Sequence, residues 1–541
     1  MLILASIFGI QDFLFDVRET GGGQARSLRH RSFRVQLIAE CIAERLLAAA
    51  ALPYENLLFN AAAKVCIDAG DLSEASTEAV RNAAYDITRR ILHETHGRLR
   101  FAWALVSCKG NFAHDFDHGN RLLAAAKFQP LHELAAVGVG PPAWPDGDLV
   151  LPQTWNPKDE AQSDIDLGRR LVNAKWLAIR RHDGQSHGKM MDVMGLCFDI
   201  LDKPPEDGVD LVACCNLNEP KVAPPNVHRS KFRVRRLARY VPRDEHGNPV
   251  EFLDLAKKSR GASMLGVLKA DADSLGAAVM AALKDADDAQ PLRRLSEAID
   301  RFFVETLEAE KQSPGSRWGS IYTVFSGGDD LLAVGPWDVV LDFAGHMRSL
   351  FDRVFGHDAT GSPSPQPLTI SASIAIIKPR YPVHLAAQQA EELLDQAKTD
   401  RAPRADSSKD QCAALGSLWK WKDHDRIVRA GKQLADWVDA GVIQRGWLHT
   451  MLQLAMLRGV QAGPEFAGTH PAMATSRLAY HVARNWPKPD DRDRQKRIAR
   501  EWADAILSEF DRFDSTLQIE TIYLPAIVRY AILATRGGTE E

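Results

Sequence analysis

Ile321-Tyr322-Thr323-Val324-Phe325-Ser326-Gly327-Gly328-Asp329-Asp330-Leu331-Leu332-Ala333-Val334 reads as two short apolar strands joined by a polar turn. Paired glycines permit the positive φ angles of a tight hairpin and let a bulky anion approach the backbone. Two consecutive carboxylates at such a turn repel one another unless a cation lies between them. Magnesium, or manganese in its place, suits the position because it takes hard oxygen ligands and keeps places for phosphate oxygens. Taken alone, the turn is equally an ordinary polar one. Asp271 adds weight, because it closes the apolar run Leu265–Ala270, the strand that lies beside such a hairpin in a palm. Three carboxylates at one sheet edge suit two-metal phosphoryl transfer, in which one ion activates the attacking hydroxyl and both neutralise the leaving phosphates.

Working outward, residues 256–410 carry a strand at Leu265–Ala270, helices at Leu275–Lys284 and Leu292–Lys311, the hairpin, a helix at Asp342–Phe355, a strand at Leu368–Ile377 and a helix at His384–Lys398. That order is the one of a ferredoxin-like palm. Asp273 either faces the nucleotide or caps the helix that follows it. Lys398 either reaches a triphosphate across the sheet or complements the dipole of its helix.

Residues 1–140 repeat the order without the carboxylates, which predicts a first, degenerate palm. Leu2–Phe8 and Phe101–Val106 read as strands, and Leu57–Phe59 with Lys64–Ile67 as a hairpin. A glycine and arginine loop spans Thr20–Arg31. Ile38, Cys41, Ile42 and Leu46 recur at helical spacing, and Asn120–Phe128 reads as a second helix. Residues 141–255, punctuated by Pro141-Pro142, Pro204-Pro205 and Pro224-Pro225, read as an irregular connecting module. In residues 411–541 strands stop, and Leu448–Leu457, Ser476–Trp486, Ile498–Phe510 and Ile522–Leu533 predict a helical bundle. The fold class is α+β: two ferredoxin-like palm domains of the nucleotide cyclase and polymerase kind, a connecting module and a C-terminal α-helical bundle.

Composition bounds the function. With 541 residues, 45% hydrophobic and 26% charged, the chain is no disordered or fibrous protein. The 67 basic and 71 acidic residues leave a net charge of −4, so nucleic-acid contact has to come from local patches. Two present themselves: Arg26, Arg29, His30 and Arg31 after the first strand, and Lys231–Arg239, which overlaps the most basic run, His228–Arg236. Each is suited to an RNA backbone or a triphosphate, or else to plain surface charge. The seven cysteines include no Cys-x-x-Cys pair, which argues against a zinc ribbon. No run reaches the roughly 18 apolar residues that cross a bilayer, and Met1–Ile10 lacks the basic flank of a signal peptide. A cytoplasmic protein without membrane contact is expected. The dipeptides His114-Asp115, His182-Asp183, His357-Asp358 and His424-Asp425 are scattered and read as coincidence.

In these residues the chain resembles the large, palm-bearing subunit of type III CRISPR effector complexes, closest to the III-A (Csm) form. The resemblance rests on Phe8–Phe15 with Ala25–Phe33, on Tyr240–Asn248 with Lys258–Gly261, on Leu268–Gly276, on Phe325–Asp330 and on Ile376–Pro382, in that order. It implies an enzyme that joins ATP 3′–5′ into cyclic oligoadenylate when a guide RNA in the complex pairs with target RNA. It implies metal ions on Asp271, Asp329 and Asp330, nucleotides between the palms, and the backbone, small and guide-end-capping subunits as partners. Three departures stand out. The family usually opens with a His-Asp nuclease domain, whereas here the first palm starts at residue 2, so no DNase activity is expected of this chain. The zinc-binding cysteine pairs are missing, so no zinc is expected. Ser6 and Ala61-Ala62-Ala63 replace an aspartate and glycines of the first palm, where methyl groups crowd a phosphate. Two rivals are a free-standing diguanylate-cyclase-like enzyme using GTP and a catalytically silent, RNA-binding scaffold subunit.

Overall fold

The computed structural model describes residues 1–15, 24–61, 63–129, 170–171, 173–181, 191–284, 286, 288–356, 367–459, 471–488, 493–512 and 516–537. Strand β1 (Leu2–Phe8) is buried from Leu2 to Ile7, as its unbroken apolar run dictates. With β2 (Leu57–Ala61), β3 (Lys64–Asp68) and β4 (Arg100–Val106) it forms an antiparallel sheet of order β2-β3-β1-β4. Helix α1 is Ile10–Phe15, α2 is Gln24–Ala49, α3 is Glu74–Glu94 and α4 is Phe112–Lys127. The last two start under side-chain caps: Ser73 Oγ accepts from Ser76 N at 3.1 Å, and Asn111 Oδ1 from His114 N at 3.0 Å. Ile38, Cys41, Ile42 and Leu46 of α2 are core residues, as their spacing requires.

The expected loop Thr20–Arg31 is corrected. Residues 16–23 and the side chain of Arg26 lie outside those described, α2 already begins at Gln24, and Arg29, His30 and Arg31 are buried. Arg31 Nη1 donates to Phe13 O at 3.0 Å and its guanidinium faces the Phe13 ring. The charge therefore pins α1 rather than meeting a solvent-borne phosphate.

Of the connecting stretch, residues 141–169 lie outside the description. Residues 172 and 182–190 lie outside it too, and within the remainder part is regular: β5 (Trp176–Arg181), β6 (Met191–Val193), β7 (Leu196–Leu201) and β8 (Leu211–Asn216) form an antiparallel sheet of order β6-β7-β5-β8. Alternate residues serve two cores. Leu177, Ile179, Ala213 and Cys215 join that of the first palm, while Ala178, Leu211, Cys214 and Val227 form a small one of their own. Adjacent Cys214 and Cys215 thus point to opposite faces.

Helix α5 (Phe252–Lys257) leads to β9 (Leu265–Asp273). Then come α6 (Leu275–Leu283), α7 (Gln290–Asp300), a π turn at Arg301–Thr306 and α8 (Leu307–Gln312). Strands β10 (Tyr322–Gly327) and β11 (Asp330–Pro336), helix α9 (Trp337–Phe355), strand β12 (Thr369–Ile377) and helix α10 (Val383–Thr399) complete the palm order. Strands do not stop at 411: β13 (Gln411–Ala414) pairs parallel to β12, and β14 (Ser417–Lys420) pairs with β13. The sheet order is β10-β11-β9-β12-β13-β14. The C-terminal helices are α11 (Trp421–Asp439), absent from the sequence patterns above, then α12 (Arg445–Gly459), α13 (Pro471–Asn485), α14 (Arg494–Glu509), α15 (Ile519–Ile522) and α16 (Leu524–Ala534).

Packing divides the chain into two compact units, residues 1–241, 274–313 and 323–331 in one, residues 242–273, 314–322 and 332–541 in the other. Within the first unit, Leu283, Ala289 and Leu292 around α6 and α7 share a core with Leu2, Leu4 and Cys66. Among the described residues no helix is long and apolar enough to cross a membrane.

Candidate active site

The turn of the hairpin, within residues 323–331, belongs to the first unit. Ser326 is buried, and its Oγ donates to Phe303 O of the π turn at 2.6 Å. Gly328 sits at φ +62, where a Cβ is strained, and a Cβ on Gly327 would meet nothing within 4 Å. The first glycine therefore leaves open space beside the backbone and the second makes the turn. Asp329 and the strand-opening Asp330 are both partly exposed.

Asp271 belongs to the second unit. Lys269, Asp271 and Asp273 alternate along β9 and so share one face of it. On the opposite strand Asp271 is in register with Ser371. Lys269 pairs with Glu391 and Asp271 with Lys398, so that one acceptor and one donor stand seven residues apart on α10. Burial, then Lys409 and Lys269, push the Lys398 ammonium down to about 8.

Asp273 is corrected. Its Oδ1 accepts from Ser371 Oγ at 2.8 Å, and its Oδ2 from Thr369 Oγ1 at 2.8 Å and Asp410 N at 3.0 Å. It does not cap α6, whose N-terminus has no side-chain cap bond, and three of the roughly four acceptor sites of its carboxylate are already used within the sheet. It ties β9 to β12 and to the start of β13.

The basic run is corrected as well. Arg233 pairs with Glu44 at 2.8 Å, Arg235 with Glu40 at 2.7 Å, and Arg236 with Glu305 at 2.6 Å and Asp300 at 3.4 Å. Arg233 also lies 4.0 Å from the Tyr54 ring centroid. Burial opposes the charge on Arg235, yet Glu40 and Tyr54 outweigh it and raise its pKa. These arginines are structural because the acidic residues of α2 and α7 need counter-charges inside the unit. Of the His-Asp pairs, His424 is a core residue, accepting from Trp419 Nε1 at 3.1 Å and bonding Leu341 O at 3.0 Å. Asp115 accepts from Lys109 N at 2.7 Å, and His182-Asp183 and His357-Asp358 lie outside the described residues.

Among the described residues, no three His, Cys, Asp or Glu side chains form a ready-made metal cluster. The donor set nevertheless suits magnesium, since carboxylate oxygens are the ligands it prefers. The Lys398 ammonium already neutralises Asp271, so a metal ion on that carboxylate would take the place of this ion pair. Sequence reading missed Lys269, Glu391, Glu308 and Lys311. The alternation along β9 and the seven-residue spacing on α10 were the available signals for the first two.

A palm sheet with a Gly-Gly-Asp-Asp hairpin, following a second sheet of the same topology, defines a two-palm protein of the nucleotide cyclase and polymerase kind. Residues 264–408 match the family model of the Cas10/Cmr2 second palm domain, and residues 1–134 that of Csm1 subunit domain B. The chain belongs to the Cas10/Csm1 family. It is 25% identical over 443 residues to the CRISPR system single-strand-specific deoxyribonuclease Cas10/Csm1 (subtype III-A) of Thermococcus onnurineus, covering 74% of this chain and 54% of that one. To the Mycobacterium tuberculosis protein of the same description it is 22% identical over 444 residues, covering 74% and 52%. The chain thus spans about half the length of the curated relatives it matches. Among solved structures, the Csm1–Csm4 subcomplex of the type III-A CRISPR-Csm interference complex shares the fold with a TM-score of 0.70 at 19% identity, over 99% of this chain and 70% of that one. A Csm1–Csm4 cassette in complex with cA4 does so at 0.69, with 19% identity and coverage of 99% and 70%.

Proposed function

We propose that this chain synthesises cyclic oligoadenylate from ATP as a type III CRISPR effector subunit, within a cytoplasmic ribonucleoprotein that contains guide RNA and responds to target RNA. The 3′-hydroxyl of one ATP attacks the α-phosphorus of another, a new phosphodiester forms, and pyrophosphate leaves. Asp271, Asp329 and Asp330 are the carboxylates that hold Mg2+ or Mn2+, and the ion when bound supplies charge neutralisation for the reacting phosphates. The observation that carries this reading is the sheet order, in which β11, whose residues 332–336 belong with β9 to the second unit, neighbours β9. Gly327 and Gly328 admit the triphosphate beside the backbone, and Ser326 holds the turn through Phe303. Lys398, the present counter-charge of Asp271, is the cation on this chain best placed to serve the triphosphate once another cation takes that carboxylate. The likeness to Csm1–Csm4 structures, including those described with ATP and with cA4, supports both the substrate and the assembly with further CRISPR subunits.

To test this, the assembled complex is incubated with ATP, magnesium and matched target RNA. Asp329→Ala combined with Asp330→Ala, and separately Asp271→Asn, should lower oligoadenylate output by about 100-fold or more, the scale of losing a principal electrostatic stabiliser. Unchanged output rejects the site. Faster turnover of GTP than ATP favours the diguanylate-cyclase-like alternative. Normal RNA binding without product from any nucleotide favours the scaffold.

A further inference from the structure

Lys311 has no exposed side-chain surface, a placement that lysine takes only with a partner. Its ammonium lies 2.9 Å from Glu308 Oε1 and also bonds Thr323 Oγ1 on β10. Thr323 Oγ1 in turn donates to the same Glu308 oxygen at 2.8 Å. The other oxygen, Glu308 Oε2, accepts from the backbone N–H groups of Arg239 at 3.0 Å and Tyr240 at 2.5 Å. Thr323 N closes the ring by donating to Tyr240 O at 3.2 Å. One buried ion pair thus joins three segments of the first unit: α8, the linker at 239–240 and the strand that runs into the hairpin.

A second anchor lies three residues along that strand. Ser326 Oγ reaches Phe303 O in the π turn that immediately precedes α8. Such turns widen the helix and leave carbonyls outside its regular ladder, which is why they recur where a helix must accept a bond from elsewhere. Upstream, the linker carries Arg236 on Asp300 and Glu305, and Arg233 and Arg235 on Glu44 and Glu40 of α2.

A buried ion pair adds little net stability compared with an apolar pair of the same shape; its documented value is in fixing register. Apolar side chains at 308 and 311 would bury as well but hold neither Thr323 nor the two linker amides. We propose that Glu308 and Lys311 are positioning residues for the Gly-Gly-Asp-Asp hairpin. They set the level of β10 against α8, and they tie that level to the linker running from the first palm. Neither residue contacts the reacting atoms. The inference rests on the nucleotidyl-transfer reading for its consequence in turnover, but not for its structural readout.

The test uses the full chain in its complex, with Lys311→Met combined with Glu308→Gln so that no unpaired charge is buried, and Thr323→Val as a milder variant. Amide hydrogen exchange is followed over residues 323–330. The double variant should exchange about tenfold faster there, the size expected when one hydrogen-bonded anchor is lost, while the amides of β12 stay unchanged. At saturating ATP, product formation should fall about tenfold, and the KM for ATP should rise as well, because the displaced hairpin carries both the metal-holding carboxylates and the glycines that admit the triphosphate. Unchanged exchange at 323–330 in a folded double variant overturns the proposal. If the double variant does not fold, Thr323→Val decides: faster exchange confined to 323–330 supports the proposal and none overturns it. Wild-type complex that makes no product would sink the enzymatic reading alone, since the exchange result still stands or falls by itself.

Discussion

Asp271 and Asp273 stand two positions apart on one face of β9, and their neighbours give them different work. Asp271 is partly exposed and holds a single lysine, whereas Asp273 is buried and accepts three bonds. Asp273→Ala should therefore cost about 3 kcal/mol, because the Ser371 hydroxyl and the Asp410 amide lose their acceptor inside the fold. Asp271→Asn should cost under about 1 kcal/mol while abolishing turnover. Urea unfolding of both variants beside an activity assay separates the two roles; equal destabilisation would contradict them. His424 gives a pH prediction at the same scale. Burial holds its imidazole below the ordinary 6.5, so as the pH falls past that value the unfolded chain takes up the proton first. Stability then drops with acidification, by at most about 1.4 kcal/mol per pH unit for this one group. The urea midpoint should fall between pH 7.5 and 5.5, and His424→Gln, which cannot titrate, should show a smaller fall.

Between elements, close backbone approaches lie where the C-terminal helices meet the second palm. Gly261 has φ +73, and a Cβ there would stand 2.2 Å from Ala534 O at the end of α16. Neighbouring Ala262 N donates to Leu533 O at 2.8 Å. A Cβ on Gly431 of α11 would lie 2.7 Å from the Tyr530 Cβ of α16, and Tyr530 packs edge-on against Trp337 of α9 with centroids 4.9 Å apart. Gly261→Ala meets backbone that cannot yield and strained φ besides, so it should destabilise by about 2–4 kcal/mol. In calorimetry the transition containing the second unit should move down by several degrees; no shift would mean that the helix end is not held there. The bundle is thus anchored to the palm by residues too small to register in a hydrophobic pattern.

For the whole molecule, the consequence of the ion pairs is that Arg233, Arg235 and Arg236 of the most basic run are consumed internally. Arg235→Met should lower the melting temperature by a few degrees and leave the salt dependence of RNA binding by the assembled complex unchanged. A slope reduced by about 1 would instead mean that this arginine meets a phosphate. What the amino-acid order determined by itself is what short-range pattern controls: the apolar strand Leu265–Ala270 that leads to Asp271, the Gly-Gly-Asp-Asp hairpin, the long amphipathic helices, and the palm order with its family resemblance. What only the tertiary structure decided is where short strands pair and where charges go. Strands of three to six residues such as β5–β8, β13 and β14 carry too little periodicity to be read, and long-range pairing creates them. Likewise nothing local distinguishes Arg235 from a surface arginine, Asp273 from a helix cap, or Lys311 from a solvated lysine. Each acquires its role from a partner distant in the chain, because the free energy of a buried charge depends on what folding brings beside it.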